Sequence, residues 1–257
     1  MKNRKLTLAL VLLLMVSMLA GCGGDKSAPD AGTEPIITGA PTTEAPTTEA
    51  PTTEAPTTEP PATEPLPDNA LALGVVEGNT YTNTYAGIGC DLDSTWTMYT
   101  ADQLQELPAA TMEMLEGTEM GDAMANVIQF TDMMAENVEL LSTVNVLFQK
   151  LDMSQRIAYA KLDEKTLMEA TLLMQKDAMI EAYAQAGIIV ESMEIVTVTF
   201  LGEEHHAMKT VAEMNGVPYY LLQTFDYWLG QYSVTITFAS FVEDKTESLL
   251  DLFYALD

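Results

Sequence analysis

The last third of the chain alternates apolar and polar residues three times over. Runs of that kind hide their apolar faces only by pairing with one another in a sheet. Val196, Val198 and Phe200 alternate with Thr197 and Thr199, and Val234, Ile236 and Phe238 alternate with Thr235 and Thr237. Between them, Tyr219, Leu221, Phe225 and Tyr227 share another period-two set. The runs are separated by Gly202-Glu203-Glu204, Asn215-Gly216 and Leu229-Gly230-Gln231. Asn-Gly suits a two-residue hairpin turn in which both residues take positive φ. The pattern predicts a four-strand antiparallel meander from Glu191 to Phe241.

Upstream, Tyr81 to Tyr85 and Gly87 to Leu92 read as two short strands around a glycine-bearing turn. Trp96 follows, either closing one end of the core or stacking on a ligand. Thr100-Ala101-Asp102-Gln103 resembles a capping box and opens a helix through Leu104 and Leu107 that Pro108 interrupts. A second, weaker helical stretch covers 109–125, broken at Gly117 and Gly121. It carries Met112, Met114, Met120 and Met124, whose irregular spacing suits an adaptable core better than a copper(I) site. β-Branched and aromatic residues return over 127–135 and 142–151, with Val144, Val146 and Phe148 on one face and Glu136-Asn137 starting the connection, which predicts a second hairpin.

From Asp163 to Gly187 a long helix presents Met168, Leu172, Met179, Tyr183 and Ala186 as one stripe, widened by Leu167, Ala170 and Met174. A closing helix over 243–256 places Leu249, Leu252, Phe253 and Leu256 on one side.

The N-terminus has another logic. Lys2, Arg4 and Lys5 precede an apolar run from Leu6 to Ala20, which is shorter than the roughly 20 residues that cross a bilayer. A basic opening, a short apolar run and small residues at the cut form a signal peptide over 1–21. Leu19-Ala20-Gly21-Cys22 resembles the lipobox of bacterial lipoproteins, which implies cleavage between Gly21 and Cys22 and a lipid on the Cys22 sulfur. Two acyl chains hold a protein on a membrane where one does not.

Residues 22–67 then contain almost no large apolar side chains, and the pentad Pro-Thr-Thr-Glu-Ala starts at Pro41, Pro46 and Pro51 before decaying at Pro56. Such a segment cannot bury enough surface to fold. Its prolines favour the extended polyproline form, so the linker is expected to act as a stiff spacer reaching up to about 140 Å. Its threonines would suit O-linked sugars where the machinery exists. Residues 68–257 are left as one globular domain.

Charge limits the partners of that domain. The chain carries −27, and residues 68–257 hold 30 acidic against 7 basic side chains. A surface so negative repels phosphate backbones and anionic headgroups. Nucleic acid is therefore excluded, and membrane contact is expected through the lipid. With Cys22 lipidated, Cys90 stands alone beside Asp91 and far in sequence from His205 and His206, so it reads as a small buried side chain.

Catalytic signatures are missing from the sequence: there is no Gly-x-Ser-x-Gly, no His-Glu-x-x-His and no phosphate-binding loop. A hydrolase could pair Asp91 with Asp93 or Glu203 with Glu204, but among so many acids such pairs arise by chance near turns. His205 and His206 are adjacent on a strand and point to opposite faces, so they are expected not to share one metal ion. No catalytic, cofactor-binding or metal residue is assigned.

With Tyr81-x-Asn83-x-Tyr85, the Gly87-Ile88-Gly89 strand leading to Trp96, and Val144-Asn145-Val146, the domain resembles the PsbP/Mog1-like domains of uncharacterised lipoproteins of Gram-positive bacteria. The resemblance implies an α/β (α+β) fold: an α/β/α sandwich whose single antiparallel sheet of about six strands, from the two hairpins and the meander, is flanked by helices. Relatives with this fold serve as assembly or binding modules, including a photosystem accessory subunit and a GTPase-binding factor. The expectation is a lipid-anchored, non-catalytic module on the extracytoplasmic face of the cell membrane, binding an envelope protein or glycan. The alternatives are a carboxylate-based envelope hydrolase and a cation-binding surface protein.

Overall fold

The computed structural model describes residues 72–114, 128–229 and 231–256, with side chains for all but 108–114 and 225–229. The signal peptide, Gly21, Cys22 and the linker lie outside the described residues, as do Met120, Met124 and Gly230.

In chain order the elements are β1 (Val75–Glu77), β2 (Thr80–Asn83), β3 (Ile88–Asp91), β4 (Trp96–Met98), α1 (Ala101–Met114), β5 (Gln129–Asn137), β6 (Ser142–Lys150), α2 (Met153–Lys161), α3 (Glu164–Gln185), β7 (Ile188–Phe200), β8 (Glu203–Met214), β9 (Val217–Leu229), β10 (Tyr232–Phe241), α4 (Thr246–Leu249), a 3-10 turn (Leu250–Leu252) and β11 (Phe253–Ala255). The predicted hairpins, the long helix and the meander are all present.

The strands form two antiparallel sheets where one of about six strands was expected. Seven strands run in the order β4-β5-β6-β10-β9-β8-β7, and four in the order β1-β2-β3-β11. Tyr81, Ile88, Cys90 and Phe253 of the small sheet share a core with Val144, Val146, Phe148, Val234, Ile236 and Phe238 of the large one. On the opposite face, Met168, Met179, Ala182 and Tyr183 of α3 pack on Met193, Met208, Ala212, Tyr219 and Leu221. One face of the large sheet is thus covered by a second sheet and the other by helix. The architecture is mixed α+β and mostly strand.

Turn chemistry explains the meander's register. Asn215 and Gly216 have φ of 52° and 79°, as a two-residue hairpin requires. The preceding turn is Leu201-Gly202, with φ of 51° and 87°, so Glu203 and Glu204 belong to β8 rather than to the turn.

Helix α1 opens on the predicted capping box: Thr100 N–H donates to Gln103 Oε1 at 2.8 Å and Gln103 N–H to Thr100 Oγ1 at 3.4 Å. Contrary to expectation, the helix continues through Pro108 to Met114. Proline removes one internal hydrogen bond, at a cost of about 3 kcal/mol. The cap and Leu107, only 2% exposed, oppose that cost as α1 packs on β5.

Helix α2 has no counterpart in the expected order. Asp152 caps it, accepting from Gln155 N–H at 2.9 Å, while Gln155 Oε1 accepts from Asp152 N–H at 2.7 Å. Its presence redirects one flank of α3: Leu167, Ala170 and Met174, expected in the sheet-facing stripe, line a cleft of about 260 Å³ with Ala158, Tyr159 and Leu162.

The expected closing helix is replaced by one turn of α4, the 3-10 turn and β11. An isolated helix of this length is marginal in water. Pairing of Phe253, Tyr254 and Ala255 with Cys90, Gly89 and Ile88 satisfies the backbone and sets Phe253 against Phe200 and Phe238, ring centres 6.2 and 5.6 Å away. Gly89 makes room for this strand, since a Cβ there would lie 2.5 Å from the Tyr254 ring.

Phe253→Ala should cost about 3 to 5 kcal/mol in urea unfolding, and Tyr254→Ala, whose side chain is partly exposed, much less; equal losses would contradict the strand assignment. The Asp152 carboxyl is held below its usual range by the Gln155 N–H and then by the Ser154 hydroxyl. A depressed folded pKa stabilises above the unfolded value of about 3.9 and loses that contribution as pH falls through the folded value. Asp152→Ala should therefore cost about 1 kcal/mol near neutral pH and almost nothing at pH well below 3, as read from thermal melts across the acid range.

Candidate functional site

The residues with chemistry to offer are, for the most part, engaged internally. Cys90 is fully buried, and burial followed by the charge of Asp91 pushes its thiol up to about 12, so it remains protonated. Trp96 is buried in the core between the sheets, which leaves its ring no open ligand face. Asp91 and Asp93 are both exposed; Asp93 is occupied by the N–H and hydroxyl of Thr95, whose hydroxyl bond and then N–H bond hold its carboxyl below the usual range. Glu203 and Glu204 are exposed and successive on β8, so they point to opposite faces.

His205 and His206 converge on one carboxylate. Strand β8 pairs with β9 only from Ala207 onward, because β9 stays with β10 and leaves β8 beyond Thr224. Glu164, in the first turn of α3, fills the gap: its Oε1 accepts from His206 N–H at 2.8 Å. His206 Nδ1 then lies 3.5 Å from Oε2 and His205 Nδ1 3.7 Å from Oε1. Two rings from opposite faces reach the two oxygens of a carboxylate at the strand edge, and His205 also rests against Phe200. Among the described residues no three His, Cys, Asp or Glu are arranged to hold a metal ion.

A buried carboxylate joins the two sheets. The register of β5 slips between Thr131 and Met133, making Asp132 the extra residue of a bulge. Its side chain accepts from Tyr81 Oη at 2.7 Å, Asn83 Nδ2 at 2.7 Å and Gly74 N–H at 2.9 and 3.0 Å. Burial, and then the charge of Asp132, push the Tyr81 hydroxyl far up, so it stays a donor. Tyr81 and Asn83, two residues of the motif that carried the family resemblance, therefore meet on a carboxylate that no local pattern marks. This cluster is structural.

Some of the buried hydrogen-bonding atoms without a partner among the described residues lie on the helix-side face of the central strands; others belong to Thr210, Tyr219 and Thr224 of the sheet and to Gln175 and Tyr183 of α3. Asn145, Thr237 and Gln223 form one row across β6, β10 and β9; Gln129, Gln149 and Ser233 form another across β5, β6 and β10, with Thr235 between the rows. Gln129 is half-buried and the other six are buried. Gln223 Nε2 donates to Thr237 Oγ1 at 3.3 Å. Asn145 Oδ1, Gln149 Nε2, Gln129 Oε1 and Gln223 Oε1 are shielded from water and find no partner among the described residues.

Each such atom costs about 1 to 3 kcal/mol, on strands whose opposite faces send Val144, Val146, Phe148, Val234, Ile236 and Phe238 into the core between the sheets. Helix α1 rests on β5 and α3 on β7, β8 and β9. The polar rows cross β6 and β10 and reach β5 and β9, and all their members except Gln129 are buried. Sequence reasoning placed Thr235 and Thr237 as the polar half of an alternating strand and did not single out Gln129, Gln149 or Gln223. Alternation alone does not mark them, because a central antiparallel strand can leave its polar face wet, and here covering segments bury it.

No protein-family model matches the chain, and no curated protein matches it. Among solved structures it is similar to cyanobacterial PsbP (CyanoP) from Synechocystis sp. PCC 6803, with 11% identity over 71% of this chain and 98% of that one, at a TM-score of 0.39.

Asp132→Ala would strand two buried donors and the half-buried Gly74 N–H and should cost about 3 kcal/mol or more in urea unfolding. Asp132→Asn, which keeps a carbonyl acceptor, should lose clearly less. Equal losses would mean that the carboxylate bonds do not tie the sheets.

Proposed function

We propose that this chain is a lipid-anchored, non-catalytic binding module, held outside the cell membrane on a stalk and engaging an envelope protein or glycan. The observation that carries the binding half is the contrast just described. The thiol, the paired acids and the histidines are either spent in internal contacts or exposed singly, while amide atoms of Gln129, Asn145, Gln149 and Gln223 have no partner among the described residues. Groups that cost stability and perform no acid, base or nucleophilic work fit recognition.

The anchoring half is supported by Leu19-Ala20-Gly21-Cys22 and by the Pro-Thr-Thr-Glu-Ala repeats behind it. In this reading signal cleavage exposes Cys22, two acyl chains retain the protein, and the repeats carry residues 68–257 away from the bilayer. The acidic domain is held off anionic headgroups by its own charge.

Labelling cells with a palmitate analogue and fractionating them tests the anchor. The wild-type chain should carry label and sediment with membranes, and Cys22→Ser should lose both. Retention of Cys22→Ser in the membrane would sink that half. The immobilised full chain should retain a component of an envelope extract that the Asn145→Leu chain does not, and identical retention by both would sink the other.

A further inference from the structure

Strand β7 lies at one end of the seven-stranded sheet, and among the described residues it pairs with β8 alone. It is 13 residues long, and its outer N–H and C=O groups are a template for another strand. The two halves of that edge differ. The first is guarded by a bulge between Val190 and Ser192, by the exposed Glu191 and Glu194, and by Lys176 of α3, whose Nζ donates to the Met193 carbonyl at 3.5 Å. The second, Ile195-Val196-Thr197-Val198-Thr199-Phe200, has no charge, no proline and no bulge. Every residue in it is β-branched or aromatic, a composition that pairs readily with copies of itself.

Helix α3 leaves this half open. It begins level with Thr197, the partner of His206, but on the far side of β8, where Glu164 accepts from the His206 N–H. From there it runs over Met193 toward Ile188, so it reaches the edge only in the guarded half. Thr197 and Thr199 are exposed on the helix side, while Val198 and Phe200 hold the strand rigid from the core between the sheets.

We propose that this edge pairs with the same edge of a second copy, antiparallel about a two-fold axis through Thr197. In that register Thr197 faces its own mate, Val196 faces Val198, Ile195 faces Thr199 and Glu194 faces Phe200. No like charges meet, and threonine and β-branched pairs are favoured neighbours across strands. An axis one residue to either side brings into the paired stretch either Met193, whose carbonyl Lys176 occupies, or Leu201, in the turn with φ of 51°. The two α3 helices start near the axis and run away from each other, so they do not collide. This self-complementarity selects a second copy over a foreign strand.

Charge sets the conditions. Residues 68–257 carry 30 acidic against 7 basic side chains, so two copies repel at long range. Salt at physiological strength screens that repulsion beyond about 8 Å, and Glu194 is the one charge in the paired stretch. Association should therefore strengthen as salt is added, the reverse of an interface held by ion pairs.

The test oxidises Thr197→Cys, Thr199→Cys and the parent, each as the full chain in mild detergent, and compares them on non-reducing gels. Residues opposed across antiparallel strands have Cα atoms about 4.5 to 5.5 Å apart, within reach of a disulfide. Residue 199 is offset from its own mate by four positions, about 13 Å along the strand, and is out of reach. Thr197→Cys should give a linked dimer that grows with sodium chloride, and Thr199→Cys should stay at the parent level. The parent reports any linkage through Cys22, and Cys90 is buried. Thr197→Lys should melt as the parent does and sediment as a monomer in salt that dimerises the parent.

A Thr197→Cys chain that links no more than the parent overturns the proposal. Equal linkage of the two cysteine variants does so too, since it reports collision without register, and so does a dimer that fades as salt rises. If Thr197→Lys fails to fold, the disulfide comparison alone decides.

Discussion

Asp132 gathers the directional bonds between β5 of the large sheet and β2 of the small one, and its position depends on a defect. Because β5 carries one extra residue there, the side chain turns out of the ladder toward β2 and meets Tyr81, Asn83 and the backbone of Gly74. Hydrophobic burial brings sheets together but sets no register between them. Directional bonds to one buried carboxylate do set it, and breaking them leaves several polar groups stranded at once. Gly74 belongs to the arrangement, since a Cβ there would overlap the Tyr81 ring and the carboxylate.

With the small sheet docked that way, the large sheet acquires two different interiors. Toward the small sheet, Val144, Val146, Phe148, Val234, Ile236 and Phe238 are all fully buried. Away from it, the same two strands present Asn145, Gln149, Thr235 and Thr237, equally hidden from water. The first interior supplies stability and the second consumes it. There stability is given up, with hydrogen-bonding atoms left over.

Elements that close within their own neighbourhood could be read in advance. The Asn215-Gly216 turn, the Thr100 to Gln103 box and the period of α3 each state their geometry within a few residues. Where a distant partner decides, local pattern misleads. Phe253 lies at helical spacing from Leu249, yet it is a strand because β3 offers an edge and Phe200 and Phe238 a pocket. Pro108 reads as a stop and is overridden by packing of α1 on β5. Helix α2, too short to show a clear period, was missed although its box from Asp152 to Gln155 is present in the chain. Asn145 belongs to the Val144-Asn145-Val146 motif, but of its polar neighbours only Gln149 shares its strand, and the rest come from β5, β9 and β10 with no common signal.

By itself the sequence determined the alternating strands, their tight turns and the two principal helices, because each depends on residues close together in the chain. It also determined the expectation of a lipid at Cys22, which is chemistry read from four consecutive residues. Tertiary structure alone decided that there are two sheets, that Asp132 joins them, that Glu164 lies between the rings of His205 and His206, and that a polar strand face is buried. Alternation shows which residues share a face; whether that face meets water or protein depends on what packs above it, and that is settled by segments far away in sequence.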